Sequence, residues 1–306
     1  MRGFFLFTQM IIPKYLRPGD VVAVVATAKS VNRAQTLQGI DILRSWGLEV
    51  RTGQHLFAKE GQFAGGDEQR AADMQLMIDS DQVKTIFVAR GGYGTSRILD
   101  RLDFLPMLQS PKWICGFSDI TVMQTHLFRL GMATMHAPMP AFFSSTDTRS
   151  LERFQTMLFG EHPPLEAPHH QLNRPGLASG PIIGGNLSLL CHSIGTSSEL
   201  ITEGNILFIE DVGEQLYQLD RMMVQLKRGG FLREIAALVV GQFTEMKDDD
   251  AFGKTANEII FEHIRDYQFP VAFGFPIGHS AENHALVVGV DHQLKVNENQ
   301  ACLMLS

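Results

Sequence analysis

The chain has 306 residues, 44% of them hydrophobic, and a formal net charge of −7. That length suits one large or two ordinary domains with a substantial core, and an acidic balance without a Lys/Arg cluster argues against a nucleic-acid footprint. The three cysteines, Cys115, Cys191 and Cys302, form no Cys-x-x-Cys pair, which fits a reducing compartment better than a disulfide framework.

Met1-Arg-Gly-Phe-Phe-Leu-Phe7 begins like a secretory signal, but Gln9 and Lys14 break the apolar run. The expectation is a loose extension before about Tyr15, with Met10 an alternative start. No apolar run is long enough to span a bilayer. Pro18-Gly19-Asp20 then marks a turn, and Val21 to Thr27 is a β-branched run of the kind covered on both faces. A helix is expected over Ala34 to Trp46, a short strand at Leu48–Val50, a glycine-rich loop from Phe57 to Gly66 and a second helix from Asp67 to about Ile78. Lys84 to Ala89 is a third strand, ending in Arg90-Gly91-Gly92-Tyr93-Gly94-Thr95, and a helix or turn follows through Ile98 and Leu99. Trp113 to Gly116 is a fourth strand, with Ile120, Met123, Leu127 and Leu130 at helical spacing after it. A further strand lies near Ala133 to His136. This alternation predicts a doubly wound, mostly parallel sheet, whose ligands sit at the carboxyl ends of the strands.

Glu161 to Pro175 breaks the pattern: Pro163, Pro164, Pro168 and Pro175 fall among polar residues. The division expected is an N-terminal α/β domain over 15–162, a linker over 163–177 and a smaller, strand-rich α/β domain over 178–306. In the second half, strands are expected at Asn205–Ile209 and Ala236–Phe243, and helices at Tyr217–Lys227 and Ala256–Tyr267. Pro270 to Phe275 leads into Gly278-His279-Ser280. Short strands over Leu286–Val290, Gln293–Val296 and Ala301–Leu305 close a small mixed sheet or barrel.

Four features carry candidate chemistry. Ser118 stands at a sharp strand-to-helix corner, where its hydroxyl points away from the sheet and backbone N–H groups lie nearby. Serine and aspartate are also ordinary helix caps, so the corner by itself has two readings. The glycine turn after Arg90 lets a ligand approach backbone N–H groups. It is a structural turn, an oxyanion donor or a phosphate loop; it resembles the Gly-Gly-Asp-Gly-Thr loop of NAD and lipid kinases only weakly, since Tyr93 replaces the aspartate. Glu210 ends an apolar strand beside Asp211, with Glu214 as a competing carboxylate. Of eleven histidines, His279 lies in a turn among small residues, and His136 ends a first-half strand. No His-Glu-x-x-His or Cys/His spacing fits a metal. A serine needs a base to take its proton, histidine has the right basicity for that exchange, and a carboxylate fixes the imidazole tautomer.

The chain resembles the LD-carboxypeptidases, serine peptidases that include muramoyltetrapeptide carboxypeptidases, from about Leu16 onwards. The resemblance is carried by Leu16-Arg-Pro-Gly-Asp20, Arg90-Gly-Gly-Tyr-Gly94, Gly116-Phe-Ser-Asp-Ile-Thr121, Gly184-Gly-Asn-Leu187, Leu207-Phe-Ile-Glu-Asp211, Asp220-Arg-Met222 and Gly278-His279. It implies a triad of Ser118, Glu210 and His279, an oxyanion hole from the N–H groups of Gly92 and Asp119, and substrate contacts at Gly91 and Tyr93. It also implies a cytoplasmic homodimer without metal or cofactor. That enzyme would remove the terminal D-alanine of murein tetrapeptides, cutting after an L-configured diamino acid, in peptidoglycan recycling. A related branch cleaves peptide–nucleotide antibiotics of the microcin C type for self-immunity. Two departures stand out: Thr27-Ala28-Lys29-Ser30 replaces a usual Pro-Ser, and Ser280 follows His279 where a second glycine is common.

Overall fold

The computed structural model describes residues 10–248 and 252–306. The signal-like start and Met1 itself lie outside the described residues. The first sheet contains β1 (Val21–Val25), β2 (Glu49–Thr52), β3 (Val83–Val88), β4 (Trp113–Gly116) and β5 (Thr134–His136), all parallel in the order β2-β1-β3-β4-β5. The second contains β6 (Leu165–Pro168), β7 (Gly176–Asn186), β8 (Ile206–Val212), β9 (Ala237–Thr244) and β10 (Val271–Phe273). The final three strands are β11 (Leu286–Val288), β12 (Asp291–Val296) and β13 (Gln300–Leu305). The second sheet runs β10-β9-β8-β7-β12-β13-β6. Its first four strands are parallel and its last four are joined antiparallel.

The β-branched first strand is buried on both faces, as its composition predicts. Val22 and Val24 point into one apolar layer with Ile40, Leu43 and Phe154, while Ala23 and Val25 point into the opposite layer with Met74, Ile78 and Met123. The second sheet sorts its residues the same way. Leu207 and Ile209 face the helices with Leu219 and Met223. Ile206 and Phe208 face the other side with Val239 and Phe275. Because strand side chains alternate, this places Glu210 on the face of Ile206 and Phe208, and Asp211 on the helical face.

Three local expectations differ from the structure. The residues before Tyr15 are not all loose: Ile11 bridges to Met132, and its backbone exchanges hydrogen bonds with Gly131 and Ala133. The proline-rich stretch carries β6, which pairs with β13, because Leu165 and Ala167 alternate inward and supply an apolar edge. Residues 286–288 do not join the second sheet. They cross back as β11 and pair antiparallel with β5, completing the first sheet. The fold also contains a helix at Thr148–Leu158, capped by Asp147. The second sheet remains open and mixed, without barrel closure.

The halves meet where the Thr121–Arg129 helix crosses the end of β7. The Asn186 N–H donates to the Thr121 hydroxyl at 3.0 Å. A Cβ on Gly185 would stand 2.5 Å from that hydroxyl oxygen, so this approach requires glycine. Arg129 Nη1 adds a bond to the Glu199 carbonyl at 3.1 Å.

Candidate active site

Ser118 sits between β4 and the Thr121–Arg129 helix with φ of 65°, one of two left-handed non-glycine residues among those described. Any side chain's Cβ disfavours that conformation, so the strand-to-helix corner must impose it. Several bonds do so. The Asp119 carboxylate, fully buried, accepts the Thr95 N–H at 2.8 Å. Gln124 Nε2 donates to the Gly116 carbonyl at 3.1 Å. The glycine turn lies directly beside the corner: a Cβ on Gly91 would be 3.2 Å from Ser118 Cβ and 3.4 Å from the Asp119 nitrogen. Gly92 has φ of 111° and carries the stem of Lys29 over it. Among the described residues, the N–H groups of Gly92 and Asp119 donate to no other group. Two free donors thus flank the serine.

His279 approaches from the second half. It follows Ile277, whose carbonyl accepts the Gln242 N–H at 2.8 Å, and Gly278, whose N–H donates to Asn283 Oδ1 at 3.0 Å. Its Nδ1 lies 2.6 Å from Glu210 Oε2. The Glu210 side chain is fully buried and that of His279 is 17% exposed. An ionised carboxylate is acceptor-only, so Nδ1 carries the proton and donates, leaving Nε2 to face the cavity as an acceptor. Burial alone would depress the His279 pKa. The charge of Glu210 and its hydrogen bond, aided by Asp211 and Glu245, outweigh burial and raise it above the ordinary histidine value. Phe117 packs on the imidazole, ring centroids 4.8 Å apart.

Ser118, His279, Gly91 and Gly92 line one cavity of about 490 Å³, together with Arg90, Phe142, Val212 and Asn283. A wider hollow of about 750 Å³ lies on the other side of Ser280, lined by Thr244, Thr255 and Gly274 among others, and holds neither Ser118 nor His279. Tyr93, expected to contact substrate, does not line the smaller cavity. It packs on Phe63 at 5.9 Å and is 43% exposed, because the left-handed glycine before it turns the chain outward.

Two family models match the chain, one over each half. One describing the LD-carboxypeptidase N-terminal domain matches residues 22–137, and one describing the LD-carboxypeptidase C-terminal domain matches residues 179–294. The chain belongs to the LD-carboxypeptidase family. It is 33% identical over 324 aligned positions to a Bacillus subtilis protein named "Probable murein peptide carboxypeptidase", covering 99% of this chain and 97% of that protein. It is 28% identical to the murein tetrapeptide carboxypeptidase of Pseudomonas aeruginosa, covering 90% and 93%. The crystal structure of muramoyltetrapeptide carboxypeptidase from Oxalobacter formigenes superposes with a TM-score of 0.86 at 29% identity, covering 94% and 98% of the two chains. The microcin C7 self immunity protein has the same fold, with a TM-score of 0.85 at 20% identity over 97% of this chain.

Within this LD-carboxypeptidase the other candidates are placed as follows. Glu214 accepts from the Ser188 hydroxyl at 3.2 Å and is not hydrogen-bonded to His279. Asp211 accepts from Asn186 Nδ2 at 2.7 Å and from the N–H groups of Ser188 and Val212, each at 2.9 Å. Burial and the neighbouring Glu210 charge nevertheless push its pKa up to about 7. His136 is fully buried, edge-on to Phe208 at 5.2 Å, and burial followed by repulsion from His279 drives its pKa down to about 3. It is a neutral packing group behind the site.

Sequence reasoning missed Arg70. It is 1% exposed, and its Nη1 donates to the Gly94 carbonyl at 3.0 Å and to the Thr27 carbonyl, while Asp67 pairs with its other terminal nitrogen. It clamps the glycine turn to the end of the first strand. Its position in a polar helix offered no signal, since such arginines are ordinarily solvent-facing.

Proposed function

We propose that this LD-carboxypeptidase is a serine hydrolase removing the terminal D-alanine of murein tetrapeptides, with Ser118 as nucleophile, His279 as base and Glu210 as its orienting acid. The reading rests on the 2.6 Å bond between His279 Nδ1 and Glu210, which leaves Nε2 free on the cavity that also holds the Ser118 hydroxyl. His279 Nε2 takes the Ser118 proton as Oγ attacks the carbonyl of the L-configured diamino acid. The tetrahedral oxyanion accepts the N–H groups of Gly92 and Asp119, donors already free of other partners. The imidazolium then protonates the departing D-alanine nitrogen, and the C–N bond breaks to leave an ester on Ser118. Water, deprotonated by His279, hydrolyses that ester and restores the serine.

The raised His279 basicity suits a group that must hold a proton between the two half-reactions. A cytoplasmic homodimer acting in peptidoglycan recycling is part of the same proposal. The three free cysteines suit the reducing compartment that this reading assumes.

Mass spectrometry of products from a murein tetrapeptide, a tripeptide and a microcin-type peptide–nucleotide conjugate tests the reading. Loss of one alanine from the tetrapeptide alone is the expected result. Cleavage of the conjugate with an untouched tetrapeptide would replace it with the self-immunity reaction, and tight ATP or NAD binding without hydrolysis would replace it with a nucleotide-binding protein.

A further inference from the structure

We propose that Arg90 is the specificity residue that holds the free α-carboxylate of the residue being removed, and so makes the site act at peptide ends. The proposal rests on the carboxypeptidase reading above. Arg90 stands two residues past the end of β3, precedes the two glycines of the turn and lines the cavity together with Gly92. Among the residues lining that cavity there is no lysine, aspartate or glutamate; Arg90 is its one permanent charge. No carboxylate among the described residues pairs with the guanidinium. Its one hydrogen bond to a described residue is a long one, from Nη1 to the Ser30 carbonyl at 3.4 Å. Phe142, also a lining residue, supports the planar group with its ring centroid 5.8 Å from Cζ.

A half-buried guanidinium with most of its five donors unused is an incomplete arrangement until an anion arrives. The reaction brings one to that place. The terminal residue's carboxylate follows the scissile carbonyl by about one residue length, ~3.8 Å between α-carbons. When the carbonyl oxygen sits between the Gly92 and Asp119 N–H groups, the carboxylate lies within reach of the side chain next to Gly91. A planar fork matches a carboxylate through two parallel hydrogen bonds, which a C-terminal amide or a further peptide bond cannot reproduce. Lys29, lying over Gly92, is another cation near the turn, but like Arg70 it does not line the cavity.

The test compares hydrolysis of a tetrapeptide ending in free D-alanine with the same peptide ending in D-alaninamide, by the wild-type enzyme and by Arg90→Ala, Arg90→Lys and Lys29→Ala. Wild type is expected to prefer the free acid by about 10²-fold or more in kcat/KM. Arg90→Ala should lose about 10²-fold on the acid, chiefly through KM, and far less on the amide, so the preference collapses. Arg90→Lys should recover part of it. Equal losses on both peptides would make Arg90 a structural residue and overturn the assignment. So would an Arg90→Ala enzyme that keeps its preference, or collapse of the preference in Lys29→Ala instead. If wild type cleaves neither peptide, the peptidase reading fails separately. An NMR titration of Ser118→Ala with N-acetyl-D-alanine then decides the anion site: binding lost on adding Arg90→Ala supports it, and absent or unchanged binding overturns it.

Discussion

The Gly116–Thr121 corner and the Ile277–Asn283 loop face the same cavity, yet different forces hold them. The corner is local. A short buried strand, a left-handed serine and a helix follow one another between Trp113 and Arg129, and the nearest supports, Gln124 and Thr95, belong to the same half. The loop depends on a partner far away in sequence. His279 is oriented by Glu210, 69 residues earlier, on a different strand of the second sheet. The corner therefore stores backbone strain, whereas the loop depends on a buried charge. Damage to the first should remove chemistry and leave titration alone; damage to the second should alter both.

Replacing Ser118 with alanine breaks the comparison most completely. Hydrolysis should fall by roughly 10⁴-fold or more, with an unchanged circular dichroism spectrum and melting profile. A Ser118→Ala enzyme with even a tenth of the wild-type rate would remove serine chemistry from the site. Glu210→Gln is expected to cost roughly 10³-fold, because the imidazole loses both its fixed tautomer and its countercharge.

The same substitution carries a pH signature. Neutral His279 is the active base, and Glu210 holds its pKa above the ordinary value against the pull of burial. The acid limb of kcat/KM should therefore move to lower pH in Glu210→Gln. Stability responds through the same group. A histidine whose folded pKa is raised binds protons more tightly when folded. Its contribution is fully present below about pH 6.5, the unfolded value, and fades as pH rises through the folded value. Melting curves of wild type should show that fading, and those of Glu210→Gln should be flatter over the same range.

Gly92→Ala sharpens the corner's side of the contrast. The atoms nearest to the added methyl belong to the movable stem of Lys29, so space is not the main obstacle. The positive φ is, and relaxing it turns the Gly92 N–H away from the oxyanion. A fall in kcat of about 10²-fold, with the pH profile unshifted, is the expected outcome. If the pH profile moved, the corner and the loop would be coupled more tightly than their contacts imply.

The smallest effect is expected at the joint between the halves. In Gly185→Ala the new methyl would press on Thr121 and displace the Asn186 bond, costing about 1–3 kcal/mol of stability by denaturant unfolding. Activity should fall only as far as Ser118 and His279 drift apart, and a double substitution with Thr121→Ala should recover part of the stability. No recovery would mean that the strained φ, rather than the contact, limits that position.

Much of this was readable from residue order. The β-branched first strand, the helical spacing after Ser118, the apolar run into Glu210 and the glycine turns all reflect local preferences that neighbouring residues impose on one another. The sequence also nominated Ser118, Glu210 and His279, through motif order rather than geometry. Without that motif order, the residues alone do not separate Glu210 from Asp211 or Glu214 as the partner of the imidazole. That choice turned on which face of β8 lies against Phe275 and which lies under helices, a matter of packing between sheets. The return of residues 286–288 to the first sheet, the pairing of β6 with β13 and the Arg70 clamp were likewise decided by surfaces distant in the chain. Local sequence determines which conformations a segment prefers. Only the folded whole supplies the buried partners that make a charged or strained residue affordable at one place and not another.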